Sequence, residues 1–140
     1  MNRKGMTVFE LLVAVGLFSF LVTAMVPSMR SLFARLEMHT ALRTVTAGLN
    51  AARYQAIQEN HPVRAEIVPG RLQISVDNGS GWRVTRSFPL SEKLTITANS
   101  RPVFSPLGNV SPLCTITLEA RQKVCRVVVS MYGRIRVYGN

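Results

Sequence analysis

The feature that most limits this chain is Leu11–Met29, a run of 19 residues without a charged side chain. A helix needs roughly 20 apolar residues to cross the hydrocarbon core of a bilayer. A secretory signal also starts basic, as Arg3-Lys4 does here. Its apolar core is shorter, about 7–15 residues, and ends at a small-residue cleavage site. No such site follows this run, so a membrane-spanning anchor is expected. Glu10 sits at the head of the run and does not suit a plain anchor. An ionised carboxylate inside a membrane costs on the order of 2.5–3.5 kcal/mol unless it is paired, although it can snorkel to the interface. A cut after Gly5 would give Met6 a free amine. Met6 and Glu10 are four apart and share a helix face, so that amine could neutralise the carboxylate of its own or a neighbouring chain and favour helices packed with a fixed offset.

These residues resemble a known group. Arg3-Lys4-Gly5, then Met6-Thr7-Val8-Phe9-Glu10-Leu11-Leu12-Val13, looks like the class III leader and mature start of type IV pilins and pseudopilins. The resemblance implies cleavage after Gly5 by a prepilin peptidase, N-methylation of Met6, and Glu10 as the acid that registers subunits in a filament. The usual first mature residue in the group is Phe, and Met6 departs from it. The resemblance also implies a single-pass protein of the bacterial inner membrane with its head in the periplasm, part of a periplasmic or extracellular filament after assembly. Charge counting alone leaves the orientation balanced, because Arg3 and Lys4 precede the span while Arg30 and Arg35 follow it. Gly16 and Pro27 interrupt the run, and Pro27 removes a helical hydrogen bond.

Beyond Pro27 the pattern narrows to one apolar stripe. Leu42, Val45, Leu49, Ala52 and Ala56 follow 3-4-3-4 spacing, the mark of an amphipathic helix. Arg43, Thr46, Asn50 and Arg53 lie largely off it. Ala41, Ala47, Gly48, Ala51 and Ala52 keep this surface small enough for a sheet to approach closely. The helix should end near Glu59-Asn60, ahead of Pro62.

From Val63 the period becomes two. Strands are expected at 63–68, 72–76, 82–88, 94–98, 103–108 (ending in a turn), 114–118, 125–130 and 134–138, punctuated by Pro69-Gly70, Asp77-Asn78-Gly79-Ser80-Gly81, Gly108 and Gly133. Strands so spaced suggest two small antiparallel sheets packed on the helix. The fold class is α+β, with residues 1–5 as leader, 6–29 as membrane half of the helix, 30–60 as its amphipathic half and 61–140 as a β-rich head. Phe104-Ser105-Pro106-Leu107-Gly108, Val127-Val128-Val129-Ser130 and Gly133-Arg134-Ile135-Arg136-Val137 resemble the GspH/FimT group, minor pseudopilins of type II secretion and minor pilins of type IV pili. That implies a type IV pilin-like fold and, as partners, other pilins or pseudopilins.

Cys114 and Cys125 are the two cysteines. An even count in an exported chain permits a disulfide, and the expected hairpin would bring the pair near bonding distance. Two buried thiols are the alternative.

No catalytic constellation stands out. His39 and His61 are isolated, Asp77 is the sole aspartate, and Asn78-Gly79-Ser80-Gly81 lacks the Lys and Ser/Thr of a phosphate loop. Neither a metal nor a cofactor is expected, nor an enzyme. The charge is more informative: 17 Lys+Arg against 7 Asp+Glu give +10, a surplus that suits an anionic partner. Alternation places Arg134, Arg136 and Tyr138 on one face of the last strand, with Ile135 and Val137 on the other. Guanidinium groups grip phosphates and a tyrosine can stack beside them. The resemblance assigns Arg134 and Arg136 alone, in a Gly-Arg-x-Arg tail, to binding DNA in natural transformation. Binding of duplex DNA through its phosphates would be sequence-independent, and Lys123 and Arg126 of the neighbouring hairpin are candidate secondary contacts. The competing reading is a charged edge strand that discourages unwanted pairing, or a subunit of the secretion type.

Overall fold

The computed structural model describes residues 7–120 and 123–139, with only the backbone described for residues 24–28, 30 and 31. The leader, including Gly5, and Met6 lie outside the described residues. One helix, α1 (Val8–Glu59), precedes nine strands: β1 (Val63–Val68), β2 (Arg71–Asp77), β3 (Trp82–Pro89), β4 (Thr95–Ala98), β5 (Val103–Phe104), β6 (Val110–Ser111), β7 (Cys114–Ala120), β8 (Lys123–Val129) and β9 (Ile135–Gly139). The chain divides into two units, Met1–Leu36 and Glu37–Asn140.

In the first unit α1 starts at a side-chain cap. The Glu10 backbone N–H donates to Thr7 Oγ1 at 3.3 Å, which satisfies one of the amide groups a helix start leaves without a partner. Apolar side chains point outward all around this segment, among them Phe9, Leu12, Val15, Leu17, Phe18 and Leu21. Its hydroxyls turn back onto the helix. Ser19 Oγ donates to the Val15 carbonyl at 2.8 Å, and Thr23 Oγ1 to that of Phe20 at 2.9 Å. Among the described residues no helix is long and apolar enough to cross a membrane. The uncharged run passes into residues 24–28, whose side chains lie outside the description.

The second unit holds the core. Five strands form one sheet in the order β3-β2-β1-β5-β6, and four form another in the order β4-β7-β8-β9. All pairings are antiparallel. Met38, Ala41, Val45, Leu49, Ala52 and Ala56 of α1 are buried against Leu72, Ile74 and Phe104 of the first sheet and Ile116, Leu118 and Val127 of the second. The stripe read from 3-4 spacing is thus the core face, with Leu42 at its margin. At Gly48 α1 lies close against the first sheet, since a Cβ there would overlap the Leu72 side chain. α1 stops at Glu59, and Asn60 takes φ +55°, a left-handed end that asparagine tolerates.

Two details were not expected. β2 and β3 slip by one residue at Ile74/Ser75, leaving Thr85 unpaired as a bulge. Thr85 Oγ1 lies 3.3 Å from the Ile74 carbonyl and 3.4 Å from Oε1 of buried Gln55 on α1. β6, only two residues long, pairs with β5 and carries no periodicity that could announce it.

The expected disulfide is corrected. Cys114 and Cys125 do occupy neighbouring strands and the same face, but Cys114 stands opposite Val129 and Cys125 opposite Leu118. That offset of four residues separates them by about 13 Å along the strands, against a Cβ–Cβ distance of about 3.5–4.5 Å in a disulfide. Both are free thiols, Cys114 buried and Cys125 half-buried.

Candidate nucleic-acid interface

The apolar residues of β8 and β9 decide where the charges go. Val127 and Val129 are fully buried in the core, and the ladder places Val137 and Ile135 opposite them. Side chains alternate across a strand, so the intervening residues face outward. Arg126 stands directly opposite Tyr138, and Val128 opposite Arg136. Directly opposed Cβ atoms lie about 4.5–5.5 Å apart and diagonal neighbours about 7–8 Å. Arg126, Tyr138 and Arg136 therefore form one contiguous group. β9 is the edge of its sheet, with β8 on one side only, which leaves Val137 48% exposed despite its inward parity.

Arg134 precedes β9 and continues its alternation. The Ser130 N–H donates to the Arg134 carbonyl at 2.9 Å, and the Arg134 N–H donates to Ser130 Oγ at 3.1 Å. This closes the turn joining β8 to β9. Gly133, in that turn, has φ +71°. A Cβ on it would overlap the Gly108 carbonyl oxygen and come 2.8 Å from Arg53 Nε. The glycine of the Gly-Arg-x-Arg run is thus dictated by backbone conformation and packing.

Arg126, Arg134 and Arg136 are exposed, as is Tyr138, at 52%. Among the described residues none of the three arginines forms an ion pair. Glu119, opposite Val124, is the one acidic side chain that the strands of this sheet place on the outer face among the described residues. A depression of about 290 Å³, lined by Val124, Arg126, Tyr138 and Gly139, opens beside the group. Two guanidinium groups beside an exposed phenol, with a third farther along the same face, can hold phosphate oxygens bidentately and offer a ring for stacking.

Lys123 is placed differently. It pairs with Ala120, on the inward-facing parity of Leu118 and Cys125, so the ladder does not join it to Arg126. Elsewhere, His39 and His61 are exposed and separate. Among the described residues no three metal-ligating side chains converge. Glu10 is exposed on the first turn of α1, and its expected partner, the Met6 amine, lies outside the described residues. One residue was missed by the sequence reading. Arg53, counted there among the polar positions off the stripe, is half-buried and donates from Nη1 to the Gly133 carbonyl at 3.2 Å. Nothing in its local sequence announces a contact across 80 residues.

No family model matches the sequence, and comparison with curated proteins finds none similar to it. Solved structures do resemble it. The minor pseudopilin EpsH from the type 2 secretion system of Vibrio cholerae superimposes with a TM-score of 0.64 at 16% identity, covering 74% of this chain and 97% of that one. The type IV minor pilin FimU of Pseudomonas aeruginosa superimposes with a TM-score of 0.63 at 21% identity, covering 74% of this chain and 90% of that one. These likenesses, over about three quarters of the chain, show that it has a type IV pilin-like fold.

Proposed function

We propose that this chain is a minor pilin that assembles with other pilins into a type IV pilus and holds extracellular double-stranded DNA for uptake in natural transformation. The observation that carries the DNA reading is the outward face of β8 and β9, where Arg126 stands opposite Tyr138 and Arg136 and then Arg134 follow along the tail, without carboxylate partners among the described residues. Contacts of this kind reach the phosphate backbone, so binding is sequence-independent and weakens steeply with salt. Assembly rests on α1. Its outward apolar side chains and self-bonded hydroxyls suit lipid before assembly and other helices afterwards. On this reading prepilin peptidase removes Met1–Gly5, Met6 becomes the methylated N-terminus, and the new amine pairs with Glu10. The subunit then stands in the inner membrane with its head in the periplasm.

The test is a gel shift of random-sequence duplex by the full chain in detergent at low salt. Arg134→Gln with Arg136→Gln should sharply reduce retention. Unchanged retention by the double variant removes the assigned site.

A second reading is a minor pseudopilin of a type II secretion system, with no DNA ligand. The superposition that takes in 97% of EpsH favours it. Failure of the unaltered protein to retain DNA, with loss of secretion when the chain is deleted, would select it.

A further inference from the structure

We propose that Arg53 is a positioning residue for the basic tail, holding the 130–134 turn so that Arg134 and Arg136 point outward from the same sheet face. The inference rests on the DNA reading for its consequence, though not for its geometry. Arg53 leaves α1 and threads between two loops that are distant in sequence. Its Nη1 donates to the Gly133 carbonyl at 3.2 Å. Its Nε and Nη2 lie 3.3 and 3.4 Å from where a Gly108 Cβ would stand, and its Nε 2.8 Å from where a Gly133 Cβ would. Both glycines are left-handed, at φ +78° and +71°. The guanidinium therefore fills a slot that exists only because neither loop carries a side chain there.

The arrangement is not explained by charge pairing. Among the described residues Arg53 has no carboxylate partner, and its Nε is buried without a hydrogen-bond acceptor. A buried N–H left without a partner is costly, so an arginine kept here for the stability of α1 alone would be a poor choice. Among the described residues its one bond goes to Gly133, in the turn that leads into β9, a strand otherwise held by β8 alone. The Val110 N–H adds a second tie nearby, donating to the Met131 carbonyl at 2.8 Å. Helix, 105–110 loop and tail turn are thereby joined at one point, and the arginines of the tail inherit their direction from it. A lysine keeps the charge but lacks the planar fork that spans both glycines.

The test uses the full chain in detergent with two readouts. In Arg53→Lys, amide exchange across residues 130–138 should quicken about tenfold while the β1–β2 hairpin keeps its native rate. Duplex retention should fall about tenfold, and Arg53→Lys added to Arg134→Gln/Arg136→Gln should lower it no further, because residues acting through one another are non-additive. Unchanged exchange in the tail overturns the proposal. So does an additive loss in the triple variant, which would make Arg53 a DNA contact in its own right. If the unaltered protein retains no DNA, the functional reading fails and the exchange measurement alone decides whether Arg53 sets the tail.

Discussion

Gly48 of α1 and Leu72 of β2 meet where no side chain fits between them, for a Cβ on Gly48 would overlap a Leu72 methyl group that is itself fully buried. Alanine is the better helix former by about 0.8–1 kcal/mol, so an exposed Gly48→Ala would stabilise. Overpacking a filled core costs about 1–3 kcal/mol, and the overlap should win. Gly48→Ala is expected to destabilise the protein by about 1 kcal/mol in denaturant unfolding. Paired with Leu72→Val, the loss should be smaller than the sum of the two separate losses.

Gly133 and Gly79 separate packing from backbone freedom. Both are left-handed, but nothing lies within 4 Å of a Cβ on Gly79, whereas one on Gly133 meets Gly108 and Arg53. Gly79→Ala should cost only the conformational penalty of about 1–2 kcal/mol. Gly133→Ala should cost more, and should also reduce DNA retention although both arginines remain. Thermal unfolding and gel shift of the two variants make the comparison.

The cysteines should remain apart. Intact mass should be the same with and without reductant, and mild oxidation should give no internal crosslink. Burial pushes the Cys114 thiol above its ordinary value of 9.0, with Ser100 as a weaker opposing influence. The folded state thus holds this proton more tightly than the unfolded one. The associated stability is complete below the ordinary value and is lost as pH rises through the raised one. As pH rises above about 9 the denaturation midpoint should fall, and it should fall less steeply in Cys114→Ala.

Phosphate contacts leave a signature in salt. Each contact contributes about 0.9 to the slope of log affinity against log salt on duplex DNA. Arg134→Gln/Arg136→Gln should therefore lower that slope by about 2, and by a similar amount on unrelated sequences. An Arg126→Gln variant should lower it by about 1, while Lys123→Gln, on the other parity, should leave it nearly unchanged.

Much of this arrangement was legible in the sequence, and the divisions are physical. The extent of α1 followed from the 3-4 stripe and from Pro62, and eight of the nine strands followed from alternation bounded by glycine and proline. The outward set Arg136 and Tyr138 followed from parity alone. Register did not follow, because alternation fixes which face a cysteine takes but not which residue stands opposite it. Hence the error over Cys114 and Cys125, whereas the separation of Lys123 from Arg126, three apart on one strand, needs only parity. The bulge at Thr85 and the contact of Arg53 with Gly133 depend on how separate elements meet, and no local pattern encodes that.

The strand order has a consequence for how the chain comes together. β1 finds one neighbour, β2, across a tight turn, but its other neighbour is β5, some 35 residues later, beyond β3 and β4. A polypeptide emerging from its N-terminus can zip β1, β2 and β3 early, while the far side of β1 stays bare until Val103 and Phe104 arrive. Throughout that interval Val63 and Ala65, destined for the deepest part of the head, flank an open row of amides and carbonyls. A holdase would find its most profitable grip there, and two half-made copies would find each other there.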